Sequence, residues 1–367
     1  MSRGDKLVQD FLTQIDNYYA SPDTSFYDNA IERKFYEQKL RHIGFKPYPK
    51  DGLVTFGASG TNLCDRQLVF KNDKATRPEK SADISFRGRQ RRQGTAIVDY
   101  LQLDILHMPK RLKGAEKFRM ATKNVTGIDE ASGNEYEYTE WDFEEAAQER
   151  RVFTHPHPET GEPVSFAITA KPDGKFDYLP DGSRVIFEFK TKASGLRAMN
   201  GKLDYKGAQD DHKRQVIAES LIFGINEALI VYESTQKPSW FSDEENTSVT
   251  KGQKTWKDGT PLPDMRAFYV RITPQMQREL LDDLARQAAL VYSGQVPDVT
   301  VDMTGKCGFC QFRGHCAETL SADNLALLER AESRMAHGSM AGKAAHKNLR
   351  QYLDGIEVAE EGAKDVA

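Results

Sequence analysis

Apolar positions recur at helical spacing over residues 5–19 (DKLVQDFLTQIDNYY), where Leu7, Val8, Phe11, Leu12 and Ile15 share one face. Residues 90–106 (QRRQGTAIVDYLQLDIL) predict a second helix. From about 123 to 148 the chain is polar and acidic, which predicts a loop followed by a short helix. The pattern then changes. SFAITA (165–170) and RVIFEFK (184–190) are short β-branched and aromatic runs, separated by the turn signals Pro172-Asp173-Gly174 and Pro180-Asp181-Gly182. A helix fits residues 207–223 on the stripe Val216, Ile217, Leu221 and Ile222, with Gly224 as its stop. ALIVYES (228–234) predicts a buried strand. Residues 235–264 are polar and predict a long loop holding Trp240 and Trp256. MRAFYVRIT (265–273) predicts another strand, and Pro274 opens a helix to about 293, followed by Gly294. A cysteine cluster and a charged helix (about 320–336) come next, and beyond 353 the tail ending AEEGAKDVA is expected to be disordered. No internal repeat is visible. Helices, then β-β-α-β-β-α, predict an α/β core with a mixed sheet.

Composition narrows this picture. A chain of 367 residues suits one large domain or two small ones. Hydrophobic residues at 38% and charged residues at 29% are ordinary for a globular protein. No apolar run approaches the length of a membrane span. The N-terminal MSRGDKLVQDF has no apolar signal core, so a cytoplasmic location is expected. A net charge of −4 argues against a coat-like or histone-like nucleic-acid role. The four cysteines, Cys64, Cys307, Cys310 and Cys316, match the number of thiolates that one zinc ion or one iron–sulfur cluster takes.

Asp173, Glu188 and Lys190 carry the sharpest chemistry. Asp173 sits in a turn after one strand. Glu188 and Lys190 lie two apart on the next predicted strand, so they share a face, while Phe187 and Phe189 face a core. Two carboxylates can hold Mg²⁺ or Mn²⁺. A lysine beside them can stabilise charge on a phosphate or orient a water. An E-x-K triplet alone is weak evidence, because a structural ion pair on a strand looks the same.

The segment ITAKPDGKFDYLPDGSRVIFEFKTK resembles the catalytic hairpin of the PD-(D/E)xK nuclease superfamily, in its RecB-like branch. Downstream, DDHKRQVIAES resembles that branch's helical motif, with Gln215 at the glutamine and His212 three positions earlier. The resemblance implies a restriction-endonuclease-like α/β core, a central mixed sheet flanked by helices. It implies that Asp173 and Glu188 bind Mg²⁺ or Mn²⁺ and that Lys190 and Gln215 assist the chemistry. Two positions depart from the pattern. Glu219 stands where the family has a tyrosine. In QGTAIVDYLQ (93–102) Val98 stands where it has a metal-supporting histidine, with Asp99 next door. His155 and His157 are further loop candidates.

Cys307-x2-Cys310-x5-Cys316 with a distant Cys64 reads first as a zinc site, to which His315 could contribute. The layout, one cysteine ahead of the core and three after it, resembles the Cas4-like iron–sulfur nucleases, and SGTNLCDRQLVF with Arg66 resembles their N-terminal cysteine motif. That resemblance implies a [4Fe–4S] cluster joining the N- and C-terminal segments, with zinc as the alternative.

Arg87, Arg89, Arg91 and Arg92 (RGRQRR) form the densest basic run and are candidates for sequence-independent phosphate contacts. Lys192, Arg197 and Lys202 are similar candidates. Trp240 and Trp256, with Lys237, Lys251, Lys254 and Lys257 nearby, could stack unpaired bases. The expected organisation is an N-terminal helical region (1–110), a nuclease core (111–300), a cluster-bearing segment (301–352) and a tail (353–367). The expected function is metal-dependent exonucleolytic cleavage of DNA, on single strands or ends, in recombination, repair or replication, in host cytoplasm if the chain is phage-encoded. The rival expectations are a weakened nuclease scaffold serving as a DNA-binding adaptor and a zinc-containing nucleic-acid-binding module. No G-x-x-x-x-G-K-[ST] loop is present, so unwinding would need a helicase or recombination partner.

Overall fold

The computed structural model describes residues 1–20, 27–43, 51–74, 76–78, 85–128, 132–237, 262–299, 307, 310–336, 346–347 and 349–354. The first helix starts at a reciprocal cap: Ser2 Oγ accepts from the Asp5 N–H at 3.2 Å and Asp5 Oδ2 accepts from the Ser2 N–H at 3.0 Å. This helix, α1 (Arg3–Tyr19), buries Leu7, Phe11, Ile15 and Tyr18, as its spacing predicts. Then follow α2 (Asn29–His42), β1 (Thr55–Gly57), α3 (Asp65–Asn72) and α4 (Ser85–Arg111), the last extending the predicted helix at both ends. Next come β2 (Phe118–Met120), β3 (Thr122–Ile128), β4 (Glu135–Trp141), β5 (Glu149–Pro156), β6 (Pro163–Ala170), β7 (Gly174–Tyr178) and β8 (Ser183–Lys192). The chain continues through α5 (Leu196–Lys206), α6 (Asp210–Phe223), β9 (Glu227–Ser234), β10 (Met265–Arg271), α7 (Pro274–Ser293), α8 (Arg313–Glu318) and α9 (Ala322–Ala336).

Several elements differ from the sequence reading. The acidic stretch before 148 is no loop and helix: it forms the β3–β4 hairpin. Side chains of β3 alternate between exposed and half-buried, so no apolar face announces the strand. The chain also forms β7, which the two flanking turn signals hid, together with β5 and α5. His155 accordingly lies in a strand, not a loop.

The chain divides into two units. Unit one comprises Met1–Thr61, Phe86–Phe153 and Ala167–Leu281. Its centre is a five-stranded mixed sheet of order β10-β9-β8-β7-β2. Strands β8 and β9 run parallel, which requires the crossover that α5 and α6 provide; the other neighbours are antiparallel. One sheet face packs Phe118, Phe176, Phe187, Phe189, Leu229 and Val231 against α1 and α4. Phe11 lies among Phe118, Phe176 and Phe187, with centroid distances of 5.6, 6.2 and 5.6 Å. Among the described residues no further strand lies beside the edge strand β2, and a side chain takes that place. Gln14 Oε1 accepts from the Lys117 and Phe118 N–H groups, and its Nε2 donates to the Phe118 carbonyl at 2.9 Å.

Unit two comprises Asn62–Ser85, Thr154–Phe166 and Asp282–Ala367. It has a small core of Leu328, Ala331, Leu349, Tyr352 and Leu353. Among the described residues no helix is long and apolar enough to cross a membrane.

Candidate active site

Asp173 follows β6 in a turn, and β7 carries the chain back so that Gly174 stands opposite Phe187 of β8. This register brings the Asp173 carboxylate to the backbone of β8, where the Phe189 N–H donates to Oδ2 at 2.6 Å. Gln102 of α4 fixes the same turn, its Nε2 donating to the Asp173 carbonyl at 2.8 Å. On β8 the phenylalanines enter the core, so by strand alternation Glu188 and Lys190 face the other side. There α6 covers them. Lys190 is ion-paired with Glu188, and its Nζ donates to Gln215 Oε1 at 3.2 Å. Gln215 in turn donates through Nε2 to Glu219 Oε1 at 3.0 Å. The i,i+4 spacing puts these two residues on one face of α6. Asp173, Glu188, Lys190 and Gln215 are thus brought together.

The pocket holds an excess of negative charge. Glu188 and Glu219 are essentially inaccessible. Burial drives the Asp173 and Glu219 carboxyls well above the usual range, and Glu188 adds to both shifts. Burial also raises Glu188, against the pull of Lys190. Lys190 is held above its ordinary value by Glu188 and Asp173, which outweigh the cost of its burial. One oxygen of Glu188 and one of Glu219 are buried without a hydrogen-bond partner. Unpaired buried carboxylate oxygens are costly unless a proton or a cation reaches them. This donor set therefore fits a divalent cation, which prefers oxygen ligands.

From sequence Glu219 stood out only as a departure from the family pattern, and Gln102 and Tyr232 did not stand out at all. Tyr232 of β9 stands opposite Lys190. Its hydroxyl accepts from the Gln209 N–H at 2.9 Å and meets His212 Nδ1 at 2.7 Å. Only the spacing of Glu219 from Gln215 was a usable signal; the other two depend on tertiary register.

A second acidic group, Asp99, Glu144 and Glu145, has its oxygens within 4.8 Å of one another. Lys39 pairs with Asp99 at 2.5 Å and with Glu145 at 3.2 Å, and Lys171 pairs with Glu144 at 2.8 Å. Two lysines thus offset part of the charge of three carboxylates, and one oxygen of Glu145 is buried without a hydrogen-bond partner. The field of Glu144 nevertheless reaches Asp173 and Glu188 and opposes their ionisation. Val98 lies in the hydrophobic core beside α1 and supplies no ligand.

The remaining candidates are distributed as follows. Arg89, Arg91 and Arg92 are exposed on α4, and the Arg87 side chain lies outside the described residues. His155 bonds to Asp282 at 2.6 Å. His157 Nδ1 accepts from the N–H groups of Glu159 and Thr160, which closes a turn. Trp240, Lys251, Lys254, Trp256 and Lys257 lie outside the described residues. Lys237 is paired with Glu233 and Asp264.

In unit two, the four cysteines line one cavity of about 40 Å³, together with Arg66, Phe70 and Tyr352. Cys64 caps α3, its Sγ accepting from the Gln67 N–H at 3.3 Å. Arg66 is 4% exposed and has no carboxylate partner among the described residues. Its Nε donates to Cys316 Sγ at 3.2 Å, and its other nitrogens bond to the Pro297 and Cys316 carbonyls and to Thr319 Oγ1. Burial and the neighbouring thiols push Cys307 up to about 12. Among the described residues, no three cysteine sulfurs lie within 4.8 Å of one another. His315 turns to Phe70, Thr76 and Glu318.

No family model and no curated protein sequence matches the chain. Among solved structures it is similar to the protein designated SSO0001, at 13% identity and a TM-score of 0.36, over 79% of this chain and 95% of that one. It is also similar to an alkaline exonuclease from Laribacter hongkongensis, at 9% identity and a TM-score of 0.31, over 65% of this chain and 88% of the other. Rai1 of Candida albicans, crystallised with pU5-Mn²⁺, gives 9% identity and a TM-score of 0.21, over 76% and 70% of the two chains. At TM-scores of 0.36 and below none of these likenesses assigns a function, which has to come from the site's own chemistry.

Proposed function

We propose that this chain is a divalent-metal-dependent deoxyribonuclease that hydrolyses phosphodiester bonds at Asp173, Glu188 and Lys190, acting as an exonuclease on single strands or ends. One observation carries the reading: the buried Glu188 and Glu219 and the half-buried Asp173 converge beside one lysine, and one oxygen of each glutamate lacks any partner. The likeness of the Asp173–Lys192 segment to the PD-(D/E)xK hairpin supports the same reaction. Asp173 and Glu188 would hold Mg²⁺ or Mn²⁺, which supplies Lewis acidity toward the phosphate and a more acidic water. Lys190 keeps its proton and donates a hydrogen bond to a phosphate oxygen or to the attacking water, stabilising the one or orienting the other. Gln215 restrains the Lys190 ammonium, and Glu219 orients the Gln215 amide. The water oxygen bonds to phosphorus as the water gives up a proton to solvent, and the bond from phosphorus to the leaving ribose oxygen breaks as that oxygen takes up a proton from solvent.

For the cysteine cavity we propose a [4Fe–4S] cluster. Four thiolates around zinc at about 2.3 Å would stand roughly 3.8 Å apart, whereas among the described residues no three of these sulfurs lie within 4.8 Å of one another. The cavity exceeds the room that a single water needs, about 10–15 Å³. The buried Arg66, which has no carboxylate partner among the described residues, asks for negative charge nearby, which cluster-bound thiolates would provide. The role proposed for the cluster is structural. Purified protein should carry iron and acid-labile sulfide and absorb broadly in the visible; zinc without iron would refute the assignment.

The enzymatic reading is tested with Mn²⁺ and labelled single-stranded DNA. Wild type should cut, and Asp173→Ala and Lys190→Ala should each lose roughly a thousandfold in rate, equivalent to several kcal/mol of charge stabilisation. Equal behaviour of all three proteins would leave the adaptor reading.

A further inference from the structure

Lys192 ends β8 two residues past Lys190 and on the same face. Its Nζ donates to Gln209 Oε1 at 3.3 Å and lies 5.0 Å from the centre of the Tyr232 ring. Among the described residues, no carboxylate is within ion-pair reach of Lys192 or of Lys202 on α5. Burial holds Lys192 down at about 8, and Lys202 and Lys190 push in the same direction, with Asp211 opposing. The same three lysines act on His212, which burial keeps neutral, at about 4. A half-buried ammonium beside two more cations is unfavourable unless an anion joins them.

The start of α6 adds to this field. Its N-cap is Gln209, whose side chain makes no cap bond and instead accepts from Lys192. The two acids of that first turn are engaged locally: Asp210 with Lys213 at 3.0 Å, and Asp211 with the His212 N–H at 3.1 Å. An uncapped helix N-terminus favours negative charge.

We propose that Lys192, Lys202 and the first turn of α6 form a second anion subsite, which takes the phosphate neighbouring the one cut at Asp173, Glu188 and Lys190. The identification of that anion as a DNA phosphate rests on the nuclease reading; the cationic subsite itself does not. Lys192 is then a positioning residue. Gln209 and the Tyr232 ring hold its ammonium, and it sets where along the strand cleavage falls.

The test is binding of fluorescein-labelled dT20 to the full chain in EDTA, where no cleavage occurs, across a salt series. Lys192→Gln and Lys202→Gln should each weaken binding and lower the slope of log affinity against log salt by about 0.7, the value for one single-strand phosphate contact. Lys192→Arg should keep the wild-type slope. In the Mn²⁺ assay Lys192→Gln should raise KM more than it lowers kcat. Unchanged affinity and slope in both glutamine variants would overturn the subsite, as would a wild type that shows no salt-dependent binding. Failure of the nuclease reading looks different: the wild type binds dT20 with the predicted slope, yet leaves it intact in Mn²⁺.

Discussion

Glu219 illustrates how one buried side chain can set the chemistry of a site. It sits one helical turn beyond Gln215, inaccessible to solvent, with one oxygen bonded and the other without a partner. Its carboxyl is raised well above the ordinary value by burial and by Glu188. The sign of the stability effect follows. In the metal-free protein such a group keeps its proton when the unfolded chain has lost it. Folding stability is then fully present below the ordinary carboxylate pKa and declines as pH rises toward the raised folded value. Asp173 and Glu188 act in the same direction. Denaturant unfolding in EDTA should therefore show stability falling as pH rises above the ordinary carboxylate range, and Mg²⁺ or Mn²⁺ should remove that decline. Glu219→Gln should flatten the decline and weaken cation binding, read by calorimetry. A pH-independent stability in EDTA would contradict the assigned burial of charge.

At the scale of elements, the site depends on how closely α4 approaches β8. A Cβ at Gly94 would stand 3.0 Å from Thr191 Oγ1, one residue past Lys190. Gly94→Ala should cost about 1–3 kcal/mol through overpacking, and Thr191→Ala should recover much of that in the double variant, as a coupled pair does. Thermal or denaturant melts of the four proteins check this. Phe11, wedged among three aromatic rings of the sheet, should cost about 3–5 kcal/mol on truncation to alanine, with cation affinity measured at low temperature unchanged.

These elements also show what was readable in advance. The stripe of α1, the left-handed Gly224 that ends α6 and the Pro274 that opens α7 were legible, because each is a local signal. Asp173, Glu188 and Lys190 made only a weak local pattern, a turn residue followed by a two-residue alternation, and it was the resemblance to the PD-(D/E)xK hairpin that singled them out. The β3–β4 hairpin was not legible, since both strands are largely solvent-facing. Tyr232 and Gln102 were not legible either. Their place beside Lys190 and Asp173 follows from the pairing of β8 with β9 and from the packing of α4, and neither leaves a mark on neighbouring residues.

At the scale of the whole chain, the four cysteines come from segments far apart in sequence and belong to one unit. The chain is tied there by Arg66, whose guanidinium spans Pro297, Cys316 and Thr319. Arg66→Met, or chelation of the proposed cluster, should loosen residues 62–74 and 310–336 selectively, read as faster amide exchange in those segments. Uniform protection after chelation would show that the cavity's protein contacts suffice without a metal. The account as a whole stands on the site in unit one. Its most direct measurement is cleavage of end-labelled single-stranded DNA by the intact chain in Mn²⁺, beside Asp173→Ala and Lys190→Ala. The account predicts shortened strands with the wild type and intact strands with both variants. Intact strands throughout, or equal cutting by all three proteins, would contradict it.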